Sequence, residues 1–124
     1  MDAARPSRSH DDAWAEMFAL CGPPHQDPWA EAMWPVIQVA ARDELLRSMY
    51  PWLAMCQLYV SEFDDMRDRH EPFPRIAARG DHYVVIAYPP WPGHVLFETE
   101  DPAEAVALAA GLTREALAND SGSN

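Results

Sequence analysis

Apolar residues recur at helical spacing over the first third of the chain, and they predict two helical segments. The first follows Ser9, a favourable capping residue. One face of it carries Trp14, Met17, Phe18 and Cys21. The second begins at Asp27-Pro28, a cap followed by proline at the first helical position, and extends over residues 28–49. Pro35 is expected to kink or split this second helix.

β-rich segments follow, and they end at a further helix start. The four predicted strands are residues 53–61, 75–79, 82–88 and 94–99. The middle two flank Gly80-Asp81 and predict a hairpin with a two-residue turn. Asp101-Pro102 then combines a capping residue with proline at the first helical position, and Gly111 is expected to close the helix that starts there.

The order of these elements favours an α+β fold. We expect a small antiparallel four-stranded meander sheet with the N-terminal and C-terminal helices packed on one face. The length of 124 residues predicts a single domain over residues 1–124. Its polar ends, residues 1–8 and 119–124, are expected to be disordered.

The charge of the chain bears on which classes of partner it can bind. The formal net charge is −11, and all nine basic residues are arginines. Such a charge disfavours binding to nucleic acid or anionic membranes. It either attracts a cationic or amine-bearing partner or serves only to keep the protein in solution. No apolar run reaches the roughly 18 residues of a membrane span, and the polar N-terminus lacks the apolar core of a signal peptide. We therefore expect a cytoplasmic protein.

The absence of lysine has two explanations. A GC-rich genome depletes lysine codons, and the abundance of Ala, Arg and Pro fits this origin. Alternatively, a protein that handles an electrophilic alkene benefits from having no amines of its own. Lysine-dependent chemistry, such as a Schiff base or a P-loop, is excluded in either case.

The candidate chemistry rests on two histidines. Cys21 and Cys56 do not have the spacing of metal ligands, and Cys56 is expected to be buried in a strand. The five histidines form no helical metal pair, so no metal is expected. His94 follows a rigid Pro/Gly turn at the start of a strand, and His70 flanks an acidic loop. Both are candidates for proton transfer, although a structural or solvated role remains open for each.

Aromatic residues and one arginine are the candidates for binding a peptide. Residues 88–93 form a stiff proline-rich loop whose aromatic rings either grip a peptide or pack over the sheet edge. The candidates for the groove are Tyr59, Phe63, Tyr88 and Trp91. Arg75 would stabilise an enolate or bind an acid of the peptide.

Several short motifs recur together between residues 40 and 110. They are Asp43–Pro51, Leu58–Ser61, Pro72-Phe73-Pro74, Gly80–Val85 and Asp101–Val106. In this order they resemble a small actinobacterial family of natural-product biosynthesis proteins found beside lanthipeptide genes, the lysinoalanine synthases of the duramycin and cinnamycin type.

This resemblance implies an activity. Such enzymes join the ε-amine of a peptide lysine to a dehydroalanine of the same peptide, as homodimers and without a cofactor or metal. Either a side chain of the protein or a carboxylate of the peptide serves as the base. Two other functions remain open, a non-catalytic peptide-binding or immunity module and a structural partner of a larger biosynthetic enzyme. If the protein shelters a dehydroalanine, Cys21 and Cys56 should be inaccessible from the groove.

Overall fold

The chain folds as an α+β domain around one antiparallel sheet. The computed structural model describes residues 9–25, 27–54, 56–62, 73–87 and 93–122. Their elements are α1 His10–Cys21, α2 Pro28–Ala40, α3 Glu44–Arg47, β1 Tyr50–Ala54, β2 Gln57–Ser61, β3 Arg75–Arg79, β4 His82–Ala87, β5 His94–Thr99 and α4 Pro102–Gly122. The strands are arranged in the order β1-β2-β3-β4-β5. The predicted α+β class is confirmed, with helices at both ends, but the sheet has five strands rather than four.

The additional strand is β1, which begins at Tyr50, before residues 53–61, for which a single strand was the wrong prediction. This segment belongs to a hairpin, in which β1 pairs with β2 from Tyr50 opposite Ser61 to Ala54 opposite Gln57. Cys56 lies in the turn with φ of 63° and is half-buried, so its expected position inside a strand is also wrong. A positive φ is uncommon for a residue with a side chain, and no glycine or asparagine marks this turn in the sequence.

The second hairpin matches its prediction. Arg79 and His82 are paired at the ends of β3 and β4, on either side of Gly80-Asp81. Gly80 has φ of 64°, which glycine adopts without the steric penalty of a Cβ atom. The register of β3 and β4 is thereby fixed by a local signal.

Capping residues set the starts of the helices. Ser9 Oγ accepts the Asp12 backbone N–H at 3.0 Å at the start of α1. α2 continues through Pro35 and ends at Ala40, so proline does not split it. The predicted unit over residues 28–49 divides later, because Asp43 accepts the N–H groups of the next helix and starts α3.

The C-terminal helix is longer than its sequence signals indicate. Asp101 Oδ1 accepts the Ala103 N–H at 2.9 Å, as expected of a cap. The helix passes through Gly111 and extends to Gly122, so the expected end at Gly111 is wrong and residues 119–122, expected to be disordered, are helical. Burial of Ala110 and Thr113 on either side of Gly111 offsets the roughly 1 kcal/mol that glycine costs inside a helix. Residues 1–8 and 123–124 lie outside the described residues.

The helices and one face of the sheet enclose the core. We call this face the inner face. Its buried residues in the core are Leu58, Val60, Ile76 and Val85, and the helices contribute Trp14, Met33, Val36, Ile37, Ala105 and Val106. Two polar groups add directional contacts: Trp14 Nε1 donates to the Met49 carbonyl at 3.1 Å, and the Tyr83 hydroxyl donates to the Ala32 carbonyl at 3.3 Å.

One residue of the predicted α1 face does not belong to the core. Phe18 is 38% exposed and packs edge-on against Trp34, with ring centroids 5.1 Å apart. Helical spacing groups Phe18 with Trp14 and Met17, but the position of α2 decides which of these residues is covered. Among the described residues, no helix combines the length and the apolar character needed to cross a membrane.

Candidate functional site on the outer face of the sheet

The opposite side of the sheet, which we call the outer face, carries a row of side chains that crosses all five strands. Alternate residues of a strand point to opposite faces, so paired residues share a face. Trp52 is paired with Tyr59, and Arg75 is paired with Ile86, which is paired with Val95. The guanidinium carbon of Arg75 lies 4.2 Å from the centre of the Tyr59 ring and joins the two halves of the row. This is a cation–π contact between neighbouring strands.

An apolar floor lies beside this row. Ala77, Val84 and Ile86 are buried and form a cluster separate from the main core. Gln57 is paired with Ala77, and its Oε1 accepts a long hydrogen bond of 3.4 Å from Arg75 Nη1. The Arg75 side chain is therefore held between an aromatic ring and an amide, next to this buried cluster.

A histidine between two carboxylates occupies the other end of the outer face. His82 Nε2 lies 3.2 Å from Glu98 Oε1, and His82 Nδ1 lies 3.3 Å from Asp81 Oδ1. The His82 side chain is 33% exposed, whereas Glu98 and Asp81 are 62% and 92% exposed. Glu98 is paired with Val84 across β4 and β5, so it borders the apolar floor.

The sequence contains no motif that identifies this cluster. His82 and Glu98 come together only through the pairing of β4 with β5, and that pairing shifts register between Val85 and Ile86. A bulge of this kind changes which residues face each other, and nothing in the sequence marks its position. The only available signal was alternation, which places His82, Val84 and Ile86 on one face.

Charges of both signs lie along the outer face. Arg75 is in the row with Tyr59, and Arg79 is paired with His82, beside the carboxylates of Asp81 and Glu98. From standard strand dimensions, two residues along a strand and two strand spacings across the sheet separate Arg75 from Glu98 by about 12 Å.

Among the described residues, the two groups with a shifted pKa lie away from the outer face. Burial raises the pKa of the Cys21 thiol above its usual value of 9.0. Burial also raises the pKa of the Tyr83 hydroxyl above its usual value of 10.0. Cys21 belongs to the helical core and Tyr83 contacts α2, so neither contributes to the candidate site.

The structure brings together two of the residues that the sequence suggested. Tyr59 and Arg75 are in contact, as described above. His94 is exposed at the start of β5 and is paired with Ala87, so alternation directs its side chain toward the side of the inner face, away from Arg75. The remaining candidates lie outside the described residues: Phe63, His70, Tyr88 and Trp91.

A cavity under the sheet is too small to hold a substrate. Its volume is about 10 Å³, and its lining residues are Leu46, Leu58, Tyr59, Val60, Pro74, Ile76, Ala109 and Thr113. A single water needs about this volume and several polar partners, which an apolar lining does not supply. Within the part of the chain that the structure describes, no three His, Cys, Asp or Glu side chains are grouped as metal ligands. The contact of Arg75 with Tyr59 on the outer face is the candidate for a ligand site.

The chain belongs to the DUF6193 family, which is described as a family of unknown function and whose model matches residues 11–114. The matched region runs from the first turn of α1 into α4 and includes the whole outer face. Comparisons with curated proteins and with solved structures gave no match.

Proposed function

We propose that the outer face binds a dehydroalanine-containing peptide and that the protein closes a lysinoalanine bridge in it. The activity is the one implied by the family resemblance. The observation that carries the binding step is the stacking of Arg75 on Tyr59 at 4.2 Å. A guanidinium held against an aromatic ring suits a peptide that carries an acidic group.

Arg75 has the central role in this proposal. Its planar guanidinium offers several N–H donors in a fixed fork, and stacking on Tyr59 reduces the freedom that binding has to remove. It binds a carboxylate of the peptide or the enolate oxygen that develops during the addition. Tyr59 and Trp52, paired on neighbouring strands, add rigid contact area for the peptide chain.

The proposed reaction adds one N–H bond across one C=C bond. The lysine nitrogen, after losing a proton from its ammonium form, attacks the β-carbon of dehydroalanine. The π electrons move toward the carbonyl as an enolate, and the α-carbon then takes up a proton. The product is an isomer of the substrate, so no oxidant, reductant or leaving group is needed.

Catalysis of this reaction rests on positioning and on proton transfer. Holding the amine and the alkene together contributes about 7–11 kcal/mol in favourable cases. The free amine must also be generated, although its unperturbed pKa is about 10.4. The net charge of −11 attracts the ammonium but also raises its pKa. A base at the site, or a carboxylate of the peptide, must act against that effect.

A non-catalytic peptide-binding module is the alternative, because the stacked Arg75 supports binding without any chemistry. A structural partner of a larger biosynthetic enzyme is a further alternative. It predicts co-purification with that enzyme and no activity of the isolated protein.

The test is ring closure by the purified protein on a peptide with one dehydroalanine and one lysine. Ring closure leaves the mass of the peptide unchanged, so a thiol is added at intervals and the loss of thiol-reactive peptide is followed by mass spectrometry. We expect thiol labelling to decline with time in the presence of the wild-type protein. Persistent labelling of a peptide that binds by calorimetry would contradict the enzyme and support the binding module.

Two variants test whether ring closure depends on the outer face. Arg75→Gln is expected to lower kcat/KM by at least about tenfold, because a charge-assisted contact contributes about 1.5–3 kcal/mol. Arg114→Gln makes the same substitution at an exposed position of α4 and serves as the matched control. Equal rates for both variants would show that the outer face does not bind the peptide.

A further inference from the structure

We infer that the edge strand β5 binds an extended peptide segment that carries lysine or arginine, as a sixth strand of the sheet. β5 pairs with β4 on one side and is the last strand in the order of the described sheet. The other side of an edge strand presents backbone N–H and C=O groups with which an added chain can pair. The inference concerns binding alone and does not depend on the ring closure proposed above.

β5 is more exposed than the strands beside it. Residues 94–98 are all exposed although α4 contacts the strand, whereas β3 and β4 each contain buried residues. Three of the exposed residues are apolar, with Val95 at 40%, Leu96 at 43% and Phe97 at 38% exposure. Covering these side chains removes apolar surface from water, so an added strand gains more here than its backbone hydrogen bonds.

The opposite edge of the sheet does not offer the same surface. β1 contains Pro51, which is fully buried and has no N–H to donate to another strand. α1 packs against β1, and the indole of Trp14 donates to the carbonyl of Met49 just before the strand. We therefore expect a strand to be added at β5 and not at β1.

The charge around β5 defines the chemistry of the partner. Residues 80–113 contain neither lysine nor arginine. Exposed acids lie at the end of β5 and the start of α4: Glu98, Glu100, Asp101 and Glu104. His82 lies 3.2 Å from the carboxylate of Glu98, and its partner Arg79 is on β3, two strands from β5. A basic side chain of an added peptide would therefore meet carboxylates at this edge, which favours a cationic segment.

A second copy of β5 is the competing occupant, and two features favour the peptide. Two copies would bring together acidic strand ends on chains that each carry a net charge of −11. β5 also pairs with β4 through a register shift between Val85 and Ile86, and a bulge at an edge hinders pairing with another regular strand. A flexible basic peptide can follow the irregular edge and is attracted to it, so it should displace a second copy.

The experiment measures the binding of a fluorescent peptide by anisotropy. The peptide has about eight alternating valine and lysine residues, enough to span the six residues of β5. We expect saturable binding to the wild-type protein. N-methylation of the two central residues removes N–H donors from both edges of the peptide but keeps its side chains, and it should weaken binding at least about fivefold. Replacing the lysines by glutamate should weaken binding at least about tenfold.

Two variants locate the binding surface. Leu96→Lys places a cation in the apolar strip of β5 and should weaken binding at least about tenfold. Leu20→Lys is the matched control, because it makes the same change in net charge at a leucine of α1 that is 47% exposed. We expect the control to bind the peptide within about twofold of the wild type.

Each measurement can overturn the inference. The absence of saturable binding up to about 1 mM peptide would exclude a specific site for it. Equal affinity of the N-methylated peptide would exclude strand pairing, and equal affinity of the glutamate peptide would exclude recognition by charge. Equal losses in Leu96→Lys and Leu20→Lys would place binding elsewhere. A wild-type dimer that excess peptide does not dissociate in light scattering would show that a second copy occupies the edge.

Discussion

Trp14 offers the sharpest test of how the helices hold the sheet. Its indole is fully buried, and Nε1 donates to the carbonyl of Met49, the residue that precedes β1. β1 carries Trp52, which is paired with Tyr59 in the row across the outer face. The contact therefore connects α1 to the strand on which one part of the candidate site depends. Trp14→Phe removes the N–H and a part of the ring while it keeps an aromatic side chain.

The expected loss of stability has two contributions. A buried carbonyl left without its donor costs about 1–3 kcal/mol. A phenyl ring is smaller than an indole by about 40 Å³, which at about 24 cal/mol per Å³ of cavity adds about 1 kcal/mol. The sum is about 2–4 kcal/mol. With an unfolding entropy of about 2.1 cal/mol/K per residue over 124 residues, this corresponds to a fall in Tm of about 8–15 °C.

Chemical and thermal unfolding followed by circular dichroism measure this loss. Trp34→Phe is the matched control, because Trp34 is only partly buried and its edge-on contact with Phe18 is one that a phenyl ring can also make. We expect the control to lose less than about 1 kcal/mol. Equal losses in the two variants would refute the assignment of a structural hydrogen bond to Trp14.

Three further predictions follow from burial, from the pKa shifts and from the sheet edge. An aromatic disulfide reagent should label Cys56 in the folded protein and Cys21 only on unfolding, because Cys21 is fully buried and burial raises the pKa of its thiol. In the Cys56→Ser variant Cys21 is the remaining cysteine, so rapid labelling of this folded variant would contradict the burial of Cys21. Burial raises the pKa of Tyr83 above 10.0, so above that pH the folded state keeps a proton that the unfolded state releases, and stability falls as pH rises. Tyr83→Phe should flatten this fall in urea midpoints measured between about pH 8 and pH 11, and an equally steep fall would refute the assignment. The homodimer implied by the family resemblance would use the edge strand β5, where Leu96 is 43% exposed. Leu96→Lys should therefore give a monomer in light scattering. A wild-type protein that is monomeric at high concentration would contradict the dimer.

The parts of the fold that were predictable carry their signal in a few neighbouring residues. The β3–β4 hairpin follows from Gly80-Asp81 between two apolar segments, and α4 starts where Asp101 precedes a proline. The β1–β2 hairpin was not predictable, because its turn places Cys56 at positive φ in a sequence without a turn residue. The end of α4 was missed for a different reason, since tertiary packing around Gly111 outweighs a local stop signal.

The candidate site depends on register, which local sequence does not encode. Arg75 and Tyr59 were both proposed from their types and positions, but their contact needs the pairing of β2 with β3. His82 and Glu98 need a bulge between β4 and β5. A shift of one residue would move either pair to opposite faces. The sequence therefore suggested Arg75 and Tyr59 but not their contact, and it did not single out His82 or Glu98.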